Sequence, residues 1–303
     1  MAWRTQVNDW LADRRTLAGA ALTGAAAIAA LLIVGASQSG AASAHESSAV
    51  LGEARQASLT VQVPPAVTDR VYGDPNAAGR PIIVIDAGHG GRDPGATSVS
   101  GDLKEKELTL AFARELRDQL VKRGRVRIAL TREADHYLTL EQRADVARRL
   151  GASLFVSLHT DSAPNPLARG ASVYSLSDVA SDAEAARFAA SQNLGVVTET
   201  SRSSSVAAIL SDLAMRSEMN ASADFATRLV GKSAGLFGLR PEPHRFAAFH
   251  VLRRADTPAV LFEAGYISNV DDEALLRSPE HRSKIVLALA QAIEADVASR
   301  SRR

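Results

Sequence analysis

The chain has 303 residues, 46% apolar but only 5% aromatic, so it allows one large domain or two small ones with a core built mainly from Ala, Val, Leu and Ile. It has no cysteine, which excludes a disulfide framework, a thiol nucleophile and a thiolate metal site, and leaves His, Asp or Glu to hold any metal. Lys and Arg number 35 against 34 Asp and Glu, and setting aside Arg4, Arg14, Arg15, Asp9 and Asp13 leaves 32 of each sign, so charge gives no reason to expect nucleic acid as a partner.

Arg14 and Arg15 precede an uncharged stretch, Thr16 to Ala44, with an apolar centre at Ala25–Val34 and a small-residue end at Ala42-Ser43-Ala44. This pattern predicts a secretory signal peptide over residues 1–44, and the paired arginines suit twin-arginine export. The alternative is an uncleaved anchor, because the apolar part approaches spanning length. Gly19, Gly24, Gly35 and many alanines weaken it, so membrane contact is expected only during export. Trp3 and Trp10 both lie here, which leaves no tryptophan platform for sugars elsewhere. Residues 45–80, with Pro64-Pro65 and Gly73-Asp74-Pro75, read as a tether before a domain over 81–303.

From Pro81 strands and helices alternate. Ile82–Ile85 reads as a buried strand before a Gly-rich turn, and a helix follows over about Lys104–Arg123 with Leu108, Phe112, Leu116 and Leu120 on one face. Val126–Leu130 is a second strand. Thr139 and Gln142 form a capping box for a helix ending near Gly151. Leu154–Leu158 and Ala171–Leu176 are further strands, and Ser181 with Glu184 suggests another capping box for a helix toward Gln192. Two helical stretches, about Val206–Ser217 and Ala221–Leu236, fall in a helical insert over about 177–243. Ala259–Phe262 is another buried strand, and Ser278-Pro279 opens a final helix through Val297. The implied class is α/β, a single open, mostly parallel or mixed sheet with helices on both faces.

Three apolar strands end in residues that a core does not need: Asp86-Ala-Gly-His89, His159-Thr-Asp161 and Glu263-Ala-Gly-Tyr266. Ligands of open α/β sheets bind beyond the carboxyl ends of strands, so these groups can converge, with Glu105 at the same edge. Two His and one carboxylate suffice for a catalytic zinc site. Each residue also has a plain structural reading. His89 could merely occupy a turn, His159 could be a satisfied core histidine, and Glu105 could pair with Asp102 in a capping-box-like start. Glu263 is harder to dismiss, because a carboxylate directly after an apolar strand is costly without a partner or a task. Gly88, Gly90, Gly91 and Gly95 could cradle a phosphate, but their spacing fits neither a dinucleotide nor a P-loop fingerprint.

The segment Ile85-Asp-Ala-Gly-His-Gly-Gly-Arg-Asp-Pro-Gly-Ala96 resembles the opening motif of the zinc-dependent N-acetylmuramoyl-L-alanine amidases of the division type. Leu103–Leu110, Leu130–Arg132, Leu140–Ala144, Ser157–Ser162 and Pro258–Asn269 are similar to further motifs of that family, in order, over about residues 81–297. The resemblance implies zinc held by His89, Glu105 and His159, and Glu263 as catalytic acid/base. It implies peptidoglycan as substrate, the amide between N-acetylmuramic acid and L-alanine as the bond cut, and a role in daughter-cell separation. Asp161 stands where the family usually has Asn, a departure that bears on substrate contact there. Stem peptides carry carboxylates, which Arg132 or Arg143 could bind; a structural ion pair is the alternative for each. Asn269 is expected to cap a helix. The insert is similar to that of amidases blocked by their own helix and released by an activator protein, with Glu199, Asp212 or Glu218 as the candidate blocking carboxylate. The periplasm is the expected location. A wall carboxypeptidase or deacetylase, and a non-catalytic wall-binding protein on the same fold, are the rival readings.

Overall fold

The computed structural model describes residues 69–194 and 206–301; the export signal, most of the tether and Glu199 lie outside the described residues. Its sheet comprises β1 (Val71–Tyr72), β2 (Ile82–Ala87), β3 (Arg127–Leu130), β4 (Leu154–Asp161), β5 (Ala171–Leu176), β6 (Leu239–Ala247) and β7 (Ala259–Tyr266), in the order β1-β3-β2-β4-β7-β5-β6. The central strands β3, β2, β4 and β7 run parallel, β1 is antiparallel to β3, and β5 enters antiparallel to β7 with β6 parallel beside it. The helices are α1 (Glu105–Arg123), α2 (Leu140–Leu150), α3 (Ala183–Gln192), α4 (Val206–Ser233), α5 (His250–Arg253), α6 (Val270–Arg277) and α7 (Pro279–Arg300). Fold class and sheet type match the sequence expectation.

Apolar runs rather than alternation mark the central strands because both of their faces are covered. Ile83, Ile85, Val156, Leu158, Val260 and Phe262 pack with Leu108, Phe112, Leu116 and Leu120 of α1, Phe225 and Leu229 of α4, and Ile293 of α7. Each such fully buried side chain contributes about 1.5–3 kcal/mol. On the other face Val84, Phe155 and Leu261 meet Val146 of α2, Ala185 of α3, and Val251 and Leu252 of α5. Several ends form as expected: Thr139 and Gln142 cap each other reciprocally, Asn269 accepts from the Asp271 and Asp272 amides, and Ser278 accepts from the His281 amide.

Other details differ. Val71–Tyr72, inside the expected tether, pairs with β3. β6 escapes notice because it carries Pro241 and Pro243, which a ladder tolerates at the sheet edge where β6 lies. The two helices expected within the insert are one, α4, continuous through Ser217–Ala221. The cap of α3 is Asp182, which accepts from the Ala185 amide, rather than Ser181. The amide that begins α1 is that of Lys104, bonded by Glu107, so Glu105 has no capping duty there and Asp102 pairs with Arg277.

Candidate metal centre

Parallel strands in register aim matched side chains at the same face. Glu263 of β7 is in register with His159 of β4, and Ser157 with Asp86 of β2, so a polar row continues the α2/α3/α5 face to the carboxyl edge of the sheet. Glu105, at the first turn of α1, reaches this edge from above. His159 Nδ1 lies 3.0 Å from Glu105 Oε1, and His89 Nε2 lies 3.0 Å from Glu105 Oε2. One ligand atom from each of His89, Glu105 and His159 falls within 4.8 Å of the others.

The backbone makes this convergence possible. Gly88 and Gly95 leave room that any Cβ would fill: at Gly88 it would come within 2.4 Å of the His159 ring, and at Gly95 within 2.6 Å of Glu105 Oε2. His89 itself has φ 59°, an uncommon backbone state for a side-chain-bearing residue. We expect Gly88→Ala to keep the fold but push the His159 ring aside. A shift of about 1 Å can cost roughly 10²-fold in turnover, measurable on labelled sacculi. Wild-type turnover in this variant would show that the close approach is unimportant.

Arg132 and Arg143 hold the His89 loop from beneath. Arg143 pairs with Asp86 Oδ1 at 2.8 Å and donates to the carbonyls of Ala87 and His89, both at 2.7 Å. Arg132 donates to the carbonyls of Ala87, Gly88 and Lys106 at 2.8–2.9 Å. Both are 3% exposed, and their guanidinium hydrogen bonds run to Asp86 and to backbone carbonyls, which is the ion-pair and structural reading rather than a substrate carboxylate, although Arg143 also lines the cavity described below. Burial, with Arg143 beside it, lowers the Arg132 guanidinium to about 10. Burial would raise the Asp86 carboxyl, but the Arg143 charge and hydrogen bonds from Ser157, Thr131 and Arg143 hold it below its ordinary range.

Asp93 is a site residue that the sequence reading missed, although it lies inside the quoted motif. His89 Nδ1 donates to its Oδ2 at 2.9 Å, which turns Nε2 toward Glu105. Such a carboxylate fixes the tautomer and raises the basicity of a ligating imidazole. Asp93→Asn is expected to weaken divalent-ion affinity by about 10–100-fold, read by competition with a chromophoric chelator. Unchanged affinity would make Asp93 a turn residue only.

The electrostatics of the cluster favour a cation. Burial opposes protonation of His89, but Glu105 and Asp93 prevail and raise it to about 9. Burial would raise Glu105, but His89 and His159 lower it; burial lowers His159. Burial, then Asp161 and Glu105, push Glu263 well up. Among the described residues, the oxygens of Glu263, which is 0% exposed, have no hydrogen-bond partner, and His89 Nε2 makes no aligned hydrogen bond despite its contact with Glu105. Orphaned buried groups of this kind cost about 1–3 kcal/mol or more each, a cost that a shared cation would offset.

A cavity of about 1090 Å³ opens over His89, Glu105 and His159 and runs between Tyr137–Arg143 and Phe249–Arg254 to the end of α3. Asn193 ties the far wall together, donating to the Ala248 carbonyl at 2.7 Å and accepting from the His250 amide at 2.8 Å. Asp161 lines the cavity, accepts from the Ser162 amide, and is raised by burial to about 7. Glu263 lies beneath, on the strand next to His159, and is not part of the wall.

Two expected blocking carboxylates are placed elsewhere. Asp212 is exposed and paired with Arg216 at 2.8 Å, and Glu218 lines a separate hollow with Asp224, Arg228 and Asp296. The reason is the course of α4: Ser222 accepts from the amide of Ala259, at the start of β7 and about 13 Å of strand from Glu263. Glu199 lies outside the described residues.

Two imidazoles and a carboxylate over the carboxyl edge of an α/β sheet, with an unpartnered acid on the adjoining strand, have the layout of a metal-dependent hydrolase. The family model described as N-acetylmuramoyl-L-alanine amidase matches residues 83–295, and the chain belongs to that family. It is 32% identical to N-acetylmuramoyl-L-alanine amidase AmiA of Escherichia coli over 222 residues, 72% of this chain and 76% of that one. It is 33% identical to AmiC of Neisseria meningitidis over 219 residues, 71% of this chain but 52% of that longer one. Among solved structures it is similar to the catalytic domain of the amidase CwlV from Bacillus (Paenibacillus) polymyxa, with 29% identity, a TM-score of 0.51, and coverage of 70% of this chain and 96% of that one.

Proposed function

We propose that this chain is a zinc-dependent amidase that hydrolyses the bond between the lactyl group of N-acetylmuramic acid and L-alanine of the peptidoglycan stem peptide. The observation that carries the reading is the convergence of His89, Glu105 and His159 beside the unpartnered Glu263, in a chain of the amidase family. The donor set, without thiolate and with an orphaned His89 Nε2, fits zinc held by these three side chains. Zinc bound there would supply Lewis acidity toward the scissile carbonyl and lower the pKa of water. Glu263 takes the proton of the attacking water and delivers it to the departing alanine nitrogen. Asp93 holds the His89 ring, and Arg132 and Arg143 hold the loop that carries it.

Mass spectrometry of digested sacculi tests this reading. Free stem peptides together with unsubstituted glycan are expected. Shortened stems still attached to glycan, or deacetylated sugars, would replace it with the carboxypeptidase or deacetylase reading; no product at all would favour a wall-binding protein.

The proposal extends to location and control. The arginine pair, apolar run and Ala-Ser-Ala end of residues 1–44 support export to the periplasm, and the resemblance of the motifs to the division-type amidases supports a part in daughter-cell separation. A mature chain whose N-terminus is not His45 would argue against cleavage at that point. Ile209, Leu210 and Leu213, left 57–61% exposed by α4, support an activator protein that docks on the insert and raises a basal turnover measurable without it.

A further inference from the structure

With Arg132 buried behind the loop, and Arg143, though it lines the cavity, 3% exposed and paired with Asp86, the cation best placed to face substrate is sought among the exposed residues around the cavity. Arg254 lies 3.7 Å from Glu141 Oε2 and is neutralised in part. Arg92 is different. It is exposed at the cavity rim, three residues from His89, and has no carboxylate partner among the described residues. Its two acidic neighbours are engaged: Asp93 with His89 and the Gly95 amide, and Asp135 with Lys106 and the Gly91 amide.

The side chain is nonetheless held. Its guanidinium carbon sits 4.2 Å from the centre of the Tyr137 ring, a cation–π contact that steadies the plane and leaves the N–H edge free. The backbone beneath is fixed: Gly90 and Asp93 exchange amide–carbonyl hydrogen bonds at 2.9 and 3.1 Å, and Lys106 Nζ donates to the Gly91 carbonyl at 2.9 Å. A planar donor fork, already oriented and without an anion of its own, matches a carboxylate in two-point geometry and loses little entropy on binding.

Resting on the amidase reading, we propose that Arg92, stacked on Tyr137, is a specificity-determining residue that binds a free carboxylate of the peptide portion of the substrate. The site thereby favours acidic stem peptides over amidated ones.

The test compares two soluble muropeptides, one with free carboxylates and one with every carboxylate converted to carboxamide, cut by the zinc-loaded wild-type protein and by Arg92→Gln. The wild type is expected to prefer the acidic substrate by about 10–100-fold in kcat/KM, the worth of a charge-assisted hydrogen bond, with the difference mainly in KM. Arg92→Gln should lose that preference, so that the two proteins diverge on the acidic substrate and converge on the neutral one. Arg92→Lys should recover only part of it, because a point charge lacks the fork. Equal preference in wild type and Arg92→Gln, or no preference in the wild type, overturns the subsite while leaving the amidase reading intact. A wild-type protein that cuts neither muropeptide overturns the amidase reading and the subsite with it.

Discussion

Glu263→Gln is expected to lower turnover of sacculi by about 10²–10⁴-fold while bound metal stays at the wild-type level. Glutamine keeps the shape of the side chain but cannot take a proton from water and hand it on. The site is costly to the fold, because the carboxylate is fully buried with both oxygens unpartnered among the described residues. Burial, then Asp161 and Glu105, raise its pKa well above the ordinary 4.5, which fixes the sign of a linked effect on stability. In metal-free protein the Glu263 contribution is fully present below pH 4.5 and is lost as pH rises through the raised folded value. Denaturation midpoints of metal-free wild type and Glu263→Gln should therefore draw apart as pH rises above 4.5, with the variant the more stable. Full turnover in the zinc-loaded variant would remove Glu263 from the mechanism.

His159→Ala is expected to abolish both zinc binding and turnover, and a chelator should do the same to the wild type reversibly, with zinc restoring activity. His159 and His89 flank Glu105 at 3.0 Å on either side, so losing one ring opens the cluster. The metal-free protein should also show proton competition. With Glu105 and Asp93 outweighing burial to hold His89 at about 9, its ring is protonated near neutrality, and an entering ion must displace that proton. Zinc affinity should then rise with pH until about 9, and titration calorimetry in buffers of different ionisation enthalpy should register proton release. Chelator-resistant turnover, or a His159→Ala protein that keeps its zinc, would separate the reaction from the cluster.

Much of this was legible in the chain because the central strands and the site share one signal. A short apolar run ending in His or Glu announces both a buried strand and a group at its carboxyl edge, as at Ile85–His89, Leu158–His159 and Phe262–Glu263. Helix ends with local chemistry were equally readable, as at Thr139, Asn269 and Ser278. What escaped depends on distant contacts. Arg132 and Arg143 look like surface cations until the fold shows them reaching carbonyls more than 40 residues away. β6 carries two prolines that only its edge position tolerates, and α4 runs through Ser217–Ala221 because Phe225 and Leu229 are buried against the sheet, a tertiary gain that outweighs weak local propensity. Asp93 could have been found from its spacing to His89, a carboxylate four residues beyond a candidate ligand in a glycine-rich turn.

Anomalous diffraction at the zinc edge, from crystals of protein shown to be active, examines the central claim most directly. A single peak enclosed by His89, Glu105 and His159, with the Glu263 carboxylate facing it from the neighbouring strand, is the predicted result. A peak elsewhere, or none in fully active crystals, would contradict it.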